Sequence, residues 1–279
     1  MALLDTLALR NTSAVFAANR AVGRLKIAVT RDGGESRRSR VHEQGCLRAR
    51  FPRAQTELEA VIVNTAGGIA GGDQHDIDIV LGEAARMTVS TAAAEKVYRS
   101  LGPDARIGLK LHVGAAASLA WLPQETILFD RAGLARDIEI DLAETASLVL
   151  AEAVVFGRAA MGERVERGRL FDRWRVRRGG RLIFAETVKL DGTVAHTLAQ
   201  PAVAAGGSAI ATVLIVPGDG TVVERVRAKQ QFAGQVGISA WNGLALARFC
   251  APDGAALRRD LIAVLTAVRE TALPRLWLN

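Results

Sequence analysis

Aromatic side chains are scarce in this sequence: they make up 5% of its 279 residues and include a single tyrosine. Grooves that grip single-stranded nucleic acid interleave basic residues with stacking rings, so that class has little material here. A carbohydrate-active enzyme could draw on Glu152 and Glu163 as acid and base, yet it too would want ring platforms under its sugars. Only two cysteines occur, Cys46 and Cys250, far apart in the chain, which excludes a disulfide framework and a thiolate cluster. Both are expected to be buried or inert. The four histidines, His42, His75, His112 and His196, show neither H-x-H nor H-x-x-x-H spacing, so no local pair of imidazoles is set up to hold a metal tightly. Long apolar runs are missing as well. Residues 146–156, interrupted by Glu152, and residues 209–216 fall short of the roughly 20 residues that span a bilayer. Residues 1–28 carry Asp5, Arg10, Arg20, Arg24 and Lys26, which leaves no h-region and predicts a cytoplasmic protein.

What the chain does have is charge and alternation. A formal charge of +7 calls for an anionic partner, either nucleic acid or the acidic face of another protein. Apolar residues recur at every second position: Leu25, Ile27, Val29; Ile77, Ile79, Leu81; Ile107, Leu109, Leu111, Val113; Ile138, Ile140, Leu142. Such a period predicts strands with one buried face. Residues 168–178 and 181–190, joined by Gly179 and Gly180, read as a hairpin, because paired glycines accept the positive φ of a tight turn. The segment 31–40, rich in arginine and glycine, reads as an exposed loop. Helical spacing comes late. Val222, Val223 and Val226 suggest one short helix; Leu257, Leu261, Val264, Leu265 and Val268 form a stripe that Asp253 would cap and Pro274 would end. The predicted fold is therefore mainly β, an elongated stack of many short strands of β-helix type with a few C-terminal helices, in a single domain over residues 1–279.

Four segments stand out. The first, N-T-A-G-G-I-A-G-G-D at residues 64–73, has the outer glycine spacing of a phosphate loop, but Asp73 and Gln74 occupy the positions of the required Lys and Ser or Thr. It also lacks the G-x-G-x-x-G spacing, which leaves a turn demanding several positive φ values. The second, A-E-K-V-Y-R-S at 94–100, places Glu95 and Lys96 on opposite faces of any strand, so an ion-paired surface loop is the expectation. The third is W-L-P-Q-E-T-I-L-F-D at 121–130, with Gln124, Glu125 and Asp130. In the fourth, residues 152–163, Glu152 breaks an apolar run; a buried carboxylate of that kind needs a partner or a wet cavity. Lys96 and Arg158 are candidate compensating charges.

These segments, in this order, together with D-R-W-R-V-R-R-G-G-R-L-I-F-A-E at 172–186 and L-P-R-L-W at 273–277, resemble the signature of the urease accessory protein family UreD, also called UreH. The resemblance spans most of the chain. It implies stacked β-sheets, no catalysis and no tightly bound cofactor. It also implies a scaffold that joins UreF and the GTPase UreG on apo-urease while nickel reaches the active site. A cation in transit suits weak oxygen ligation, which marks Asp73, Glu95, Glu125, Asp130, Glu152 and Glu163 as a candidate path. Lys96, Tyr98, Arg99, Gln124 and Arg158 are candidate partner contacts. His75 with Asp73, Asp76 and Asp78 could cluster, but alternation splits them between two strand faces. The arginines 164, 167, 169, 173, 175, 177, 178 and 181 would support nucleic-acid binding, or form a solvated hairpin face.

Overall fold

A computed structural model describes residues 20–53, 57–229 and 231–278. Most of the reading of residues 1–28 lies outside them. The elements run β1 (Val22–Asp32), β2 (Glu35–Gly45), β3 (Leu47–Arg50), β4 (Leu58–Asn64), β5 (Gln74–Leu81), β6 (Arg86–Thr91), β7 (Glu95–Val97), β8 (Ala105–Val113), β9 (Ser118–Leu122), β10 (Thr126–Leu128), β11 (Gly133–Leu142) and β12 (Ser147–Phe156). There follow β13 (Gly168–Arg178), β14 (Arg181–Gly192), α1 (Val194–Ala199), β15 (Ala209–Val216), α2 (Gly220–Arg227), β16 (Gln235–Trp241), β17 (Leu244–Ala251) and α3 (Gly254–Val268).

The chain winds as a solenoid. One sheet has the order β14-β13-β11-β8-β5-β1-β2, the other β16-β17-β15-β12-β9-β6-β4-β3, with β7 and β10 on a third side. Successive coils pair in parallel: β5 with β8, β8 with β11, β11 with β13; β6 with β9, β9 with β12; β7 with β10, β10 with the end of β12. The inward residues therefore stack by register. Ile79, Leu111, Ile140 and Val176 form one buried column. Each such side chain contributes roughly 1.5–3 kcal/mol by leaving water. The second face of the larger sheet is covered by α2 and α3, through Val222, Val226, Leu257, Leu261 and Leu265. That strip explains why β12 is apolar on both faces.

The outer face of the first sheet carries columns of alternating charge. Lys26 pairs with Asp78 at 3.5 Å, Lys110 with Glu139 at 3.8 Å, and Arg24 with Asp76 at 3.7 Å. Arg173 joins Asp137, and Arg169 joins Asp104 at 2.6 Å. Arg169 and Arg173 of the arginine series are thus matched by carboxylates of other coils on this face. Asp76 and Asp78 lie on this solvated face while Asp73 and His75 are buried, as alternation requires.

Two local expectations are corrected. Residues 31–40 are not a loop: β1 and β2 continue through them, because Gly33 (φ 56°) and Gly34 (φ 89°) close a tight hairpin and long arginine side chains suit a ribbon solvated on both sides. α3 ends at Val268, not near Pro274; Arg269 leaves the helix with extended backbone and its guanidinium reaches Glu57 at 3.0 Å. Pro274 instead precedes a 3-10 turn, Arg275–Trp277.

Candidate functional site

The solenoid brings the four singled-out segments together, because each occupies the third side of its own coil. Ile69 bridges to Val97, Val97 pairs with Leu128, and Leu128 pairs with Phe156. All four are buried. Above this column Tyr98 meets Phe129 edge-on with centroids 5.2 Å apart, and Arg158 lies 4.0 Å over the Phe129 ring. Arg158 also pairs with Glu163 at 2.6 Å. The Tyr98 hydroxyl donates to the Gly67 carbonyl at 2.8 Å. A Cβ on Gly68 would stand 2.5 Å from that ring at φ 143°, so the glycine turn is required by the tyrosine packed on it.

Behind the column lies a buried charge cluster. Period two places Arg136 among Leu134 and Ile138 on β11, Asp172 among Leu170 and Trp174 on β13, and Glu152 beside Leu150 and Val154 on β12, so all three point inward. Arg136 donates from Nε to Asp172 Oδ1 at 3.0 Å, from Nη2 to Asp172 Oδ2, and from Nη1 to Glu152 Oε2. Trp121 Nε1 donates to Glu152 at 2.8 Å and Trp174 Nε1 to Asp172 at 3.0 Å. Burial works against the guanidinium charge, but the two carboxylates outweigh it and hold Arg136 protonated. Two carboxylates share one cation, so burial, reinforced by Asp172, pushes the Glu152 pKa up despite Arg136.

Arg136 and Glu152 line two cavities. One of about 480 Å³ runs to Trp174 and to Glu186, which Arg248 grips through Nη1 at 2.8 Å. The other, about 60 Å³, runs between the sheets past Trp121 and Gln124 to Glu95, His75 and Asn64. Glu95 accepts from Asn64 Nδ2 at 2.9 Å, and burial raises its pKa. Burial lowers that of His75, against the pull of Asp73 and Asp76.

The candidate residues therefore separate into two sets. Glu95 and Glu152 line the smaller cavity; Asp73, Glu125, Asp130 and Glu163 are not among its walls. Asp73 accepts Ala21 N at 2.8 Å and Ala70 N at 2.7 Å, which ties the glycine turn to β1. Asp130 accepts from Glu166 N and Arg167 N, and Glu125 pairs with Arg258 at 3.0 Å. Glu95 and Lys96 form no ion-paired loop: β7 turns Glu95 inward and leaves Lys96 exposed. The charge compensating Glu152 is Arg136, not Lys96 or Arg158. Gln124, expected at a partner surface, is 7% exposed, and it joins Leu276 O and Arg258 in fixing the C-terminal segment. Tyr98, Arg99 and Lys96 do reach the surface. Reading by motif missed Arg136 and took in Asp172 and Trp174 only as part of the segment 172–186, without assigning them a site, although an arginine at an inward phase of an alternating strand was a usable signal. Among the described residues no three His, Cys, Asp or Glu side chains converge as a metal cage, and no helix is long and apolar enough to cross a membrane.

Comparison with known proteins supplies the family. The family described as UreD urease accessory protein matches residues 21–278. The chain belongs to the UreD family. It is 60% identical over 281 aligned positions to a urease accessory protein UreD of Rhodopseudomonas palustris strain BisB18, covering 100% of both chains. It is 62% identical to the UreD of strain BisA53, over 96% of this chain and 94% of the relative. Against the UreD of Bradyrhizobium diazoefficiens the identity is 59%, over 96% and 98%. The UreD segments read from the sequence are thus the column, the charge cluster and the C-terminal clasp of one solenoid.

Proposed function

We propose that this chain is a non-catalytic, cytoplasmic scaffold of urease maturation that docks on apo-urease and works with UreF and the GTPase UreG while nickel enters the urease active site. Family membership supports the accessory role. The observation that carries the nickel part is the space between the sheets, where Glu95, His75 and Glu152 share one wall with Arg136. Nickel is cargo here, not a resident cofactor. Oxygen donors with one imidazole hold a borderline cation loosely enough to release it. The exposed Lys96, Tyr98, Arg99 and the half-buried Arg158 surround the column and offer cationic and aromatic contacts to a partner. The failed phosphate loop at residues 64–73 leaves GTP hydrolysis to UreG.

The test removes the gene and restores it on a plasmid. Urease subunits should accumulate normally while their nickel content and activity fall, and both should return with the chain. Full nickel loading of urease without it would defeat the proposal.

A further inference from the structure

Cys46 and His75 are 29 positions apart in the chain and meet at one corner of the solenoid, with Cys46 Sγ 3.3 Å from His75 Nε2. Cys46 is held at the turn between β2 and β3: its N–H donates to Val22 O and its carbonyl accepts from Thr65 N at 2.9 Å. His75 opens β5, is 4% exposed, and forms part of the wall of the 60 Å³ cavity that also holds Glu95. The two cysteines therefore differ. The Cys250 thiol instead donates to Ala204 O at 3.2 Å.

We propose that Cys46 and His75 form a two-point chelate for a borderline divalent cation at the rim of the inner cavity. The bite is right: with metal–sulfur and metal–nitrogen distances of about 2.3 and 2.0–2.1 Å, a 3.3 Å separation gives an angle of roughly 100° at the metal, between square-planar and tetrahedral. The donor set suits nickel, cobalt and zinc, which accept thiolate and imidazole together. His75 turns Nε2 toward the thiol, and in the tautomer protonated at Nδ1 that nitrogen offers its lone pair to a cation. On loading, the Cys46 S–H bond breaks, a sulfur–metal bond forms and the proton passes to water, with no change of oxidation state. The carboxylates of Asp73 and Glu95 act electrostatically on this corner of the solenoid, and their field favours an arriving cation. With two protein donors the remaining positions fall to water, or to Glu95 across the cavity, so the cation stays exchangeable. The role of this site in nickel transfer rests on the function proposed above; the cation binding itself does not.

Cobalt(II) is the probe, added to the reduced full-length chain. Wild type should gain a thiolate-to-cobalt charge-transfer band in the near ultraviolet. Cys46→Ser should abolish the band and weaken binding by about tenfold, whereas Cys250→Ser should retain both. Cobalt should also slow alkylation of Cys46 by iodoacetamide, read by mass spectrometry, and leave Cys250 unprotected as the internal control. Absence of the band, or equal protection of the two thiols, would overturn the site. The nickel content of urease matured with Cys46→Ser separates the two questions. If cobalt binding is lost and urease nickel falls while the melting temperature holds, the site lies on the nickel route. If cobalt binding is lost and urease nickel is normal, the site stands as a cation site and the route does not pass through it.

Discussion

Arg136 and Asp172 face each other directly across the parallel pair of β11 and β13, one full coil apart in sequence, and are joined by two hydrogen bonds from one guanidinium. The pairing exists only when the coils stack in register, which makes it a lock on the solenoid as well as a charge at the cavity wall. Removing one member strands a buried charge. Arg136→Ala is therefore expected to cost about 3–5 kcal/mol, more than the neutral triple replacement Arg136→Met, Glu152→Gln, Asp172→Asn. Chemical denaturation of the two variants decides it, and an equal loss in both would show that packing, not charge, sets the cost.

The glycine turn gives a second comparison. Gly68 has the Tyr98 ring and the Lys96 carbonyl where a Cβ would go, whereas Gly67, at φ 78°, has open space. Gly67→Ala should cost roughly 1 kcal/mol of backbone strain, and Gly68→Ala should cost more and loosen Tyr98. Thermal melts with Tyr98→Ala as background check the cause: the excess cost at Gly68 should shrink once the ring is gone.

Much of this fold was legible as parity. Alternation at residues 77–81, 107–113 and 138–142 announces strands, and the same parity places Arg136, Glu152 and Asp172 inside, so a count by phase would have found the cluster that a search for motifs passed over. The demand of Glu152 for a partner was legible; the identity of the partner was not, because Arg136 reaches it from the facing sheet, 16 positions earlier in the chain. Pairings of this kind depend on coil length, which no local pattern encodes. For the same reason Cys46 and His75 look isolated in sequence. Residues 31–40 misled in the opposite sense, since a ribbon exposed on both faces has the composition of a loop.

Asp73 is a third case, where a carboxylate expected along a passage uses its two oxygens on the backbone N–H groups of Ala21 and Ala70. Asp73→Ala leaves both donors unpaired, at roughly 1–3 kcal/mol each. Its melting temperature should drop and any loss of nickel delivery should follow that drop, while Asp73→Asn, which keeps one acceptor oxygen, should fall in between. Impaired delivery at unchanged stability would return Asp73 to the path.

Glu95 makes stability depend on pH. Its folded pKa lies above the ordinary carboxylate range because of burial, so the folded protein binds that proton more tightly than the unfolded chain. The stabilisation is complete below the ordinary Glu pKa and is lost as pH rises through the folded value. Glu95→Gln keeps an acceptor for Asn64 and removes the charge. It should melt higher than wild type near neutral pH, and the gap should close in mild acid; a gap independent of pH would place its origin elsewhere.

The same substitution separates structure from nickel handling. Glu95 and Glu152 line the inner cavity, while Glu125, Asp130 and Glu163 hold Arg258, the 166–167 backbone and Arg158 at its periphery. A cation crossing that space meets the first pair and not the second set. Glu95→Gln should therefore lower the nickel content of urease severalfold although the scaffold is more stable, a combination that loss of folding does not produce. Glu152→Gln leaves Arg136 paired with Asp172 and should act in the same direction. Glu163→Gln releases Arg158 from its ion pair over Phe129 and should instead weaken assembly with the partner proteins, visible as loss of co-purification before any loss of nickel. Measuring nickel per urease active site, co-purification and melting temperature for the three variants tests the division. If Glu95→Gln and Glu163→Gln lower nickel only in proportion to lost assembly, the carboxylates of the cavity are structural and nickel travels outside it.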